Sequence, residues 1–150
     1  TVTGVQTCAL PISRLPKGGQ AFVSVRDGDK LAAVSVARDL GELGFKVLAT
    51  RGTQRVLAAH GIDATAVNKV AEGRPHIVDM IKNDEIALVI NTVEEKRNAI
   101  NDSRTIRTSA LAARVTTYTT IAGAEAAVEG MAHLNELHVY DLQGMHASLQ

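Results

Sequence analysis

The sequence predicts an α/β protein: a parallel sheet with helices covering both faces. Three observations carry this expectation. Segments of strand length alternate with segments of helical period along the chain. Two strand-length segments, Ala21–Val25 and Ile86–Asn91, are nearly solid apolar runs, as expected of strands buried on both sides. Glycines follow the helical segments where the chain must turn back toward the next strand, at Gly44 and Gly61.

The elements follow in order. Residues 1–13 show neither period, and Val2 to Ile12 resembles the translation of a common sequencing-adapter read. They are read as a non-native, adapter-derived leader and set aside; on that reading the chain is a fragment of something longer. Residues 14–20, punctuated by Pro16, Gly18 and Gly19, read as a linker, and 21–150 as one domain. Ala21–Val25 is the first strand. Leu31, Val34, Ala37, Leu40 and Leu43 recur at helical spacing, so Leu31–Leu43 is a helix. Phe45–Thr50 is the second strand, Thr53–His60 a short helix and Ala64–Asn68 a weaker third strand. Pro75–Lys82 suits a helix with proline in its first turn. Ile86–Asn91 is the strongest strand. Asp102 or Ser103 is expected to cap a helix carrying Ile106, Ser109, Ala110 and Ala113. Arg114–Tyr118 is the fifth strand and Gly123–Leu134 an alanine-rich helix; the segment from Leu137 to Gln150 fits either type.

Composition narrows the function. A chain of 150 residues suits one domain and buries roughly 68–70% of its unfolded surface. Aromatics are 3% of residues, so the core rests on Val, Ile, Leu and Ala. Sixteen basic and sixteen acidic residues cancel, which argues against a nucleic-acid binder. The single cysteine, Cys8, allows no internal disulfide or cysteine-based metal cage and suits a reducing compartment, here taken as the cytoplasm. No apolar run approaches the roughly 20 residues of a membrane span. The histidines show no metal-ligand spacing, and no metal site is expected.

In an open parallel sheet, ligands bind outside the carboxyl ends of the strands. Those ends read Arg26–Lys30, Thr50–Thr53, Asn68-Lys69, Asn91-Thr92 and Thr117 with Thr119-Thr120. Thr50-Arg51-Gly52-Thr53 is the most informative: a strand ends, Gly52 allows a turn, and Thr53 opens a helix. Two hydroxyls and free amide groups there suit one phosphate; the plain alternative is a threonine cap over an empty turn. Lys30 and Lys69 beside that turn would balance a dianion, each worth on the order of 1.5–3 kcal/mol if desolvated. His76 with Asp79 suggests general-base chemistry, but Glu72-Gly73-Arg74-Pro75-His76 reads better as a structural turn with Arg74 paired to Glu72 or Asp79. Arg104 and Arg107 read as a solvated helix face, with a subunit contact as the alternative.

The block Asn68-Lys69-Val70-Ala71-Glu72-Gly73-Arg74-Pro75-His76-Ile77-Val78-Asp79 closely resembles the end of the large subunit of glutamine-dependent carbamoyl-phosphate synthetases. So do Ser24–Lys30, Ala49–Thr53, Ile90-Asn91-Thr92, Asp102–Leu111 and Gly144-Met145-His146. The likeness covers Leu15 to Gln150. It implies a three-layer, methylglyoxal-synthase-like fold with a five-stranded parallel sheet. It also implies a regulatory domain without catalytic residues, in which UMP inhibits and IMP activates through one phosphate site and ornithine acts at a neighbouring interface. By the same resemblance Ser24, Lys30, Thr50, Gly52, Thr53, Lys69, Asn91 and Thr92 fall at effector-binding positions and Thr119 on the ornithine side. Expected partners are the nucleotides, the catalytic domains of the same large chain, the glutaminase small subunit and further copies of the chain, with no nucleic acid or membrane. No cofactor is expected in this fragment; ATP and Mg2+ or Mn2+ belong to the parent enzyme, an ATP-dependent ligase serving pyrimidine and arginine biosynthesis. Val93 replaces a nucleotide-contacting threonine of the family, residues 94–97 are more charged, and Thr117-Tyr118 replaces a Tyr-Asp pair. The enzyme alternative is a stand-alone methylglyoxal synthase acting on dihydroxyacetone phosphate. Its strand-end aspartate has no counterpart in Asn91-Thr92-Val93.

Overall fold

The structure, a computed structural model, describes residues 18–93 and 97–133. The chain runs β1 (Gly19–Ser24), α1 (Lys30–Glu42), β2 (Phe45–Ala49), α2 (Arg51–Ala59), β3 (Ala64–Ala66), α3 (Ile77–Lys82), β4 (Leu88–Asn91), α4 (Arg97–Ala112), β5 (Thr116–Tyr118) and α5, residues 121–133. Short 3-10 turns at Asp27–Asp29 and Val70–Glu72 precede α1 and α3. The five strands form one parallel sheet in the order β3-β2-β1-β4-β5. The leader assigned to 1–13 and the ambiguous segment from Leu137 lie outside the described residues.

Alternation along the central strands explains the three layers. Ala21 and Val23 of β1 face one side, with Val47 and Ala49 of β2 and Leu88 and Ile90 of β4. They pack against Val36, Ala37 and Leu40 of α1, Leu57 of α2, and Ala124, Val128 and Met131 of α5. Phe22, Leu48 and Val89 face the other side, against Ile77, Val78 and Ile81 of α3 and Ile106 and Ala110 of α4. Both sets are buried, which is why these strands read as continuous apolar runs. Burying one such side chain stabilises the fold by about 1.5–3 kcal/mol.

Several expected boundaries shift, for local reasons. β1 begins at Gly19, so Gly19 and Gln20 belong to the strand and not to a linker; Gly19 pairs with Phe45 and Gln20 with Lys46. α1 stops where Gly44 takes φ +93°, a conformation that suits glycine. α2 begins at Arg51 with Thr50 as its N-cap, so Thr53 lies inside the first turn and does not open the helix. Pro75 lies ahead of the α3 N-cap, His76, following a cis Arg74–Pro75 bond. α4 already includes Arg97, which puts Asp102 and Ser103 in its interior and not at its cap. The β5 strand starts two residues late because Arg114, at φ 59°, still turns the chain out of α4. Among the described residues, no helix is long and apolar enough to cross a membrane.

Candidate anion cleft at the sheet switch point

From β1 the chain builds β2 and β3 to one side, then crosses to place β4 on the other. The strand order therefore reverses between β1 and β4, the position where open α/β sheets leave a crevice. The carboxyl ends meet there in register: Ser24 pairs with Asn91, and the Thr92 N–H donates to the Ser24 carbonyl at 2.9 Å. A cavity of about 170 Å³ opens above this edge. Its lining includes Ser24, Lys30, Thr50, Gly52, Thr53, Lys69, Asn91 and Thr92, so the eight residues singled out in the sequence are brought together.

Each is placed by local structure. Thr50 and Thr53 are buried, and the Thr50 hydroxyl donates to Thr53 Oγ1 at 3.2 Å. Thr53 Oγ1 also accepts the Val25 N–H at 3.4 Å, which ties the start of α2 to the end of β1. The Thr50 side chain makes no cap bond to the helix amides. The positive end of α2 therefore meets the cleft without its own side-chain oxygen in the way. Gly52 leaves room for a neighbour: a Cβ there would sit 3.3 Å from Lys30 Nζ. The Lys30 ammonium thus lies over the first turn of α2, and it donates to Asp27 Oδ1. Gly52 acts here by lacking a side chain within the helix, a role different from the turn expected of it.

Lys69 enters from the β3–α3 side. Its backbone is held on both flanks. The Lys69 N–H donates to Glu72 Oε2 at 2.7 Å and its carbonyl accepts the Glu72 N–H at 3.0 Å. Next to it, the Asn68 amide donates to the Pro75 carbonyl at 3.2 Å and accepts from Arg51 Nη2 at 3.1 Å. Across the cleft, Asn91 Nδ2 donates to Ser103 Oγ at 2.8 Å, and Thr92 Oγ1 accepts the Arg26 N–H at 2.9 Å. These two polar side chains hold the floor of the cleft as well as facing it.

The lining also includes Arg26, Asp27 and Val93 from the strand ends already noted, and Val25, Asp102, Ser103 and Ile106, which the sequence reading did not place there. Asp102 and Ser103 were mistaken for cap residues. The signal that would have placed them is the buried asparagine at the end of β4, which needs a polar partner from the next helix. Thr119 is exposed at the end of β5 and is not among the cleft's lining residues. The fifth strand end thus reaches the same sheet edge without joining the cavity. His76 and Asp79 lie outside the lining as well. The Asp79 carboxylate accepts the His76 N–H at 3.2 Å and lies 3.8 Å from Arg74 Nε, which is the structural turn expected of this block.

A doubly wound parallel sheet with a polar, partly cationic crevice at its switch point defines a small three-layer α/β domain. The MGS-like domain family matches residues 32–119, more than half of the chain, and the chain belongs to that family. It is 63% identical over 137 residues to the carbamoyl phosphate synthase large chain of Ralstonia nicotianae. It is 53% identical over 136 residues to that of Pseudomonas putida and 47% over 137 residues to that of Neisseria meningitidis serogroup A. Each match covers 91% of this chain but 13% of the relative, so the chain spans about one eighth of the length of these relatives.

Proposed function

We propose that this chain is the regulatory domain of a carbamoyl phosphate synthase large chain and that its cleft binds nucleotide monophosphate effectors by the phosphate. The observation that carries the reading is the meeting of Thr50, Thr53, Lys30 and Lys69 in one cavity at the start of α2. Hydroxyls, helix amides and two ammonium groups together match the charge and the acceptor-rich surface of a phosphate dianion. The cavity, about 170 Å³, is smaller than the roughly 300–1,000 Å³ of whole-ligand pockets. It suits the phosphate and the near side of the ribose, leaving the base at the mouth beside Val93 and Ile106.

UMP and IMP are the effectors this reading names, as inhibitor and activator, with ornithine acting near Thr119. The two nucleotides share the phosphate contacts. Their opposite effects must then come from the mouth of the cleft, because a ligand that binds two states equally shifts neither. The coupling to the catalytic domains would be of ordinary size, about 1–3 kcal/mol. Those domains, their ATP and divalent metal, and the glutaminase subunit lie outside this chain.

Calorimetric titration of the purified chain with UMP, IMP and inorganic phosphate tests the proposal. Binding is expected for all three, and Lys69→Ala should weaken each roughly 10- to 100-fold, the worth of one charge-assisted contact. Unchanged affinity in Lys69→Ala, or methylglyoxal formation from dihydroxyacetone phosphate by the wild-type chain, would overturn it.

A further inference from the structure

The loop between β1 and α1 carries its own anions. Arg26 Nε pairs with Asp29 Oδ2 at 2.8 Å, and Lys30 Nζ pairs with Asp27 Oδ1, each across three residues. Asp29 is buried and Asp27 is not: its side chain is 75% exposed, while that of Lys30 is 22% exposed. Both Asp27 and Lys30 line the cleft, and Lys30 is the ammonium that overhangs Gly52. A carboxylate therefore already occupies one donor direction of a cation that an incoming anion would use.

We infer that Asp27 is an intramolecular rival for the anion, a specificity-determining residue that lowers the affinity of the cleft for phosphate by holding Lys30 in an ion pair. The inference rests on the phosphate reading of the cleft. For a ligand to bond to Lys30, the Asp27–Lys30 contact must break or be shared, and the two negative groups then face each other at short range. Because Asp27 is largely exposed, its carboxylate stays hydrated when it shares Lys30 with the anion, so the competition weakens binding without blocking it. A singly charged anion gains less from Lys30 than a dianion does, yet it must displace the same carboxylate. The pair thus favours phosphate dianions over monovalent anions.

The test is a double-mutant cycle on the 150-residue chain, with inorganic phosphate and UMP titrated calorimetrically into wild type, Asp27→Asn, Lys30→Met and the double variant. Asp27→Asn should bind phosphate about two- to fivefold more tightly than wild type, the range expected for loss of a competing exposed ion pair. In the Lys30→Met background the gain should be clearly smaller, because only the direct repulsion between Asp27 and the anion is then relieved. Equal or weaker binding by Asp27→Asn, or an equal gain with and without Lys30, overturns the rivalry while leaving the phosphate site in place. Absence of phosphate and UMP binding in both wild type and Asp27→Asn instead removes the phosphate reading itself. Asp27→Ser, measured beside it, guards against an effect peculiar to the amide.

Discussion

The β2–α2 and β5–α5 junctions are made of the same parts: a strand, closely spaced threonines, and a helix with glycine in its first turn. At the first, Thr50 and Thr53 are buried, their hydroxyls bond to each other, and Thr53 Oγ1 accepts the Val25 N–H just beyond β1. At the second, Thr119 and Thr120 are exposed, and Thr120 Oγ1 accepts the Gly123 N–H at 3.1 Å, capping α5 from within. One helix start is closed by its own threonine; the other is left to face a cleft. The difference comes from position in the sheet. β2 is neighbour to the strand at which the order reverses, while among the described residues β5 is an edge strand paired only with β4. Residue type at a strand end does not make a cleft; adjacency to the crossover does.

The sharpest way to break this comparison is to put one carboxylate at each place. Asn91→Asp buries a charge beside Ser103 on the cleft floor. It should cost about 1–3 kcal/mol of stability, because a buried amide donor is lost and a carboxylate left poorly solvated. It should also weaken phosphate about 100-fold or more, since unit charges 4 Å apart interact by about 4 kcal/mol at an effective dielectric near 20. Thr119→Asp, on exposed backbone at the other junction, should change stability by less than about 0.5 kcal/mol. Urea melts with phosphate titrations on both variants decide it; equal damage from the two would mean the strand ends are not differentiated as described.

A smaller effect separates the two glycines. A Cβ at Gly52 would meet Lys30 Nζ at 3.3 Å, and a Cβ at Gly123 would meet Thr120 Oγ1 at 2.9 Å. Gly52→Ala should therefore nudge a flexible ammonium, weakening phosphate about two- to threefold by the loss of part of one charge-assisted contact. It should also raise stability by about 0.5–1 kcal/mol through the alanine preference in a helix. Gly123→Ala pushes on the oxygen that caps α5. The cap is worth about 1 kcal/mol, so its disturbance should offset the same helix gain, with phosphate affinity unchanged. A Gly52→Ala variant that binds like wild type would show that Lys30 does not depend on the open space over α2.

The sequence made the sheet legible because its central strands are buried on both faces. Phe22, Val23, Leu88, Val89 and Ile90 are wholly buried, and nothing polar interrupts them. The cleft was legible in part for the same reason: Asn91 and Thr50 stand out as polar residues directly after apolar runs. The start of α4 was not legible. Its buried described positions are Ser103, Ile106 and Ala110, so its apolar period spans little more than a turn and cannot mark where the helix begins. Ser103 looked like a cap because serine serves equally as a cap or as an interior partner, and only the facing asparagine decides. Asp27 was visible only as one charge among several in Arg26-Asp27-Gly28-Asp29-Lys30. Its pairing with Lys30 depends on the 3-10 turn that folds the loop back by three residues.

The smallest expected effect belongs to the β5 side and concerns pH. Tyr118 is half-buried at the end of β5, packed against the core cluster that includes α5, and burial pushes its phenol above the ordinary value of 10.0. Below that value the tyrosine is protonated in both folded and unfolded chains and adds no pH dependence. As pH rises through it, the unfolded chain loses the proton first. Unfolding then releases a proton, and stability falls with further increase in pH. Partial exposure screens the group and keeps its contribution modest. Tyr118→Phe cannot ionise, so the variant should gain on wild type in urea midpoint between pH 9 and 11 while phosphate affinity at neutral pH is unaltered. A constant difference across that range would mean that solvent reaches the phenol as freely in the fold as outside it. The packing of β5 against α5 would then be looser than that of β2 against α2.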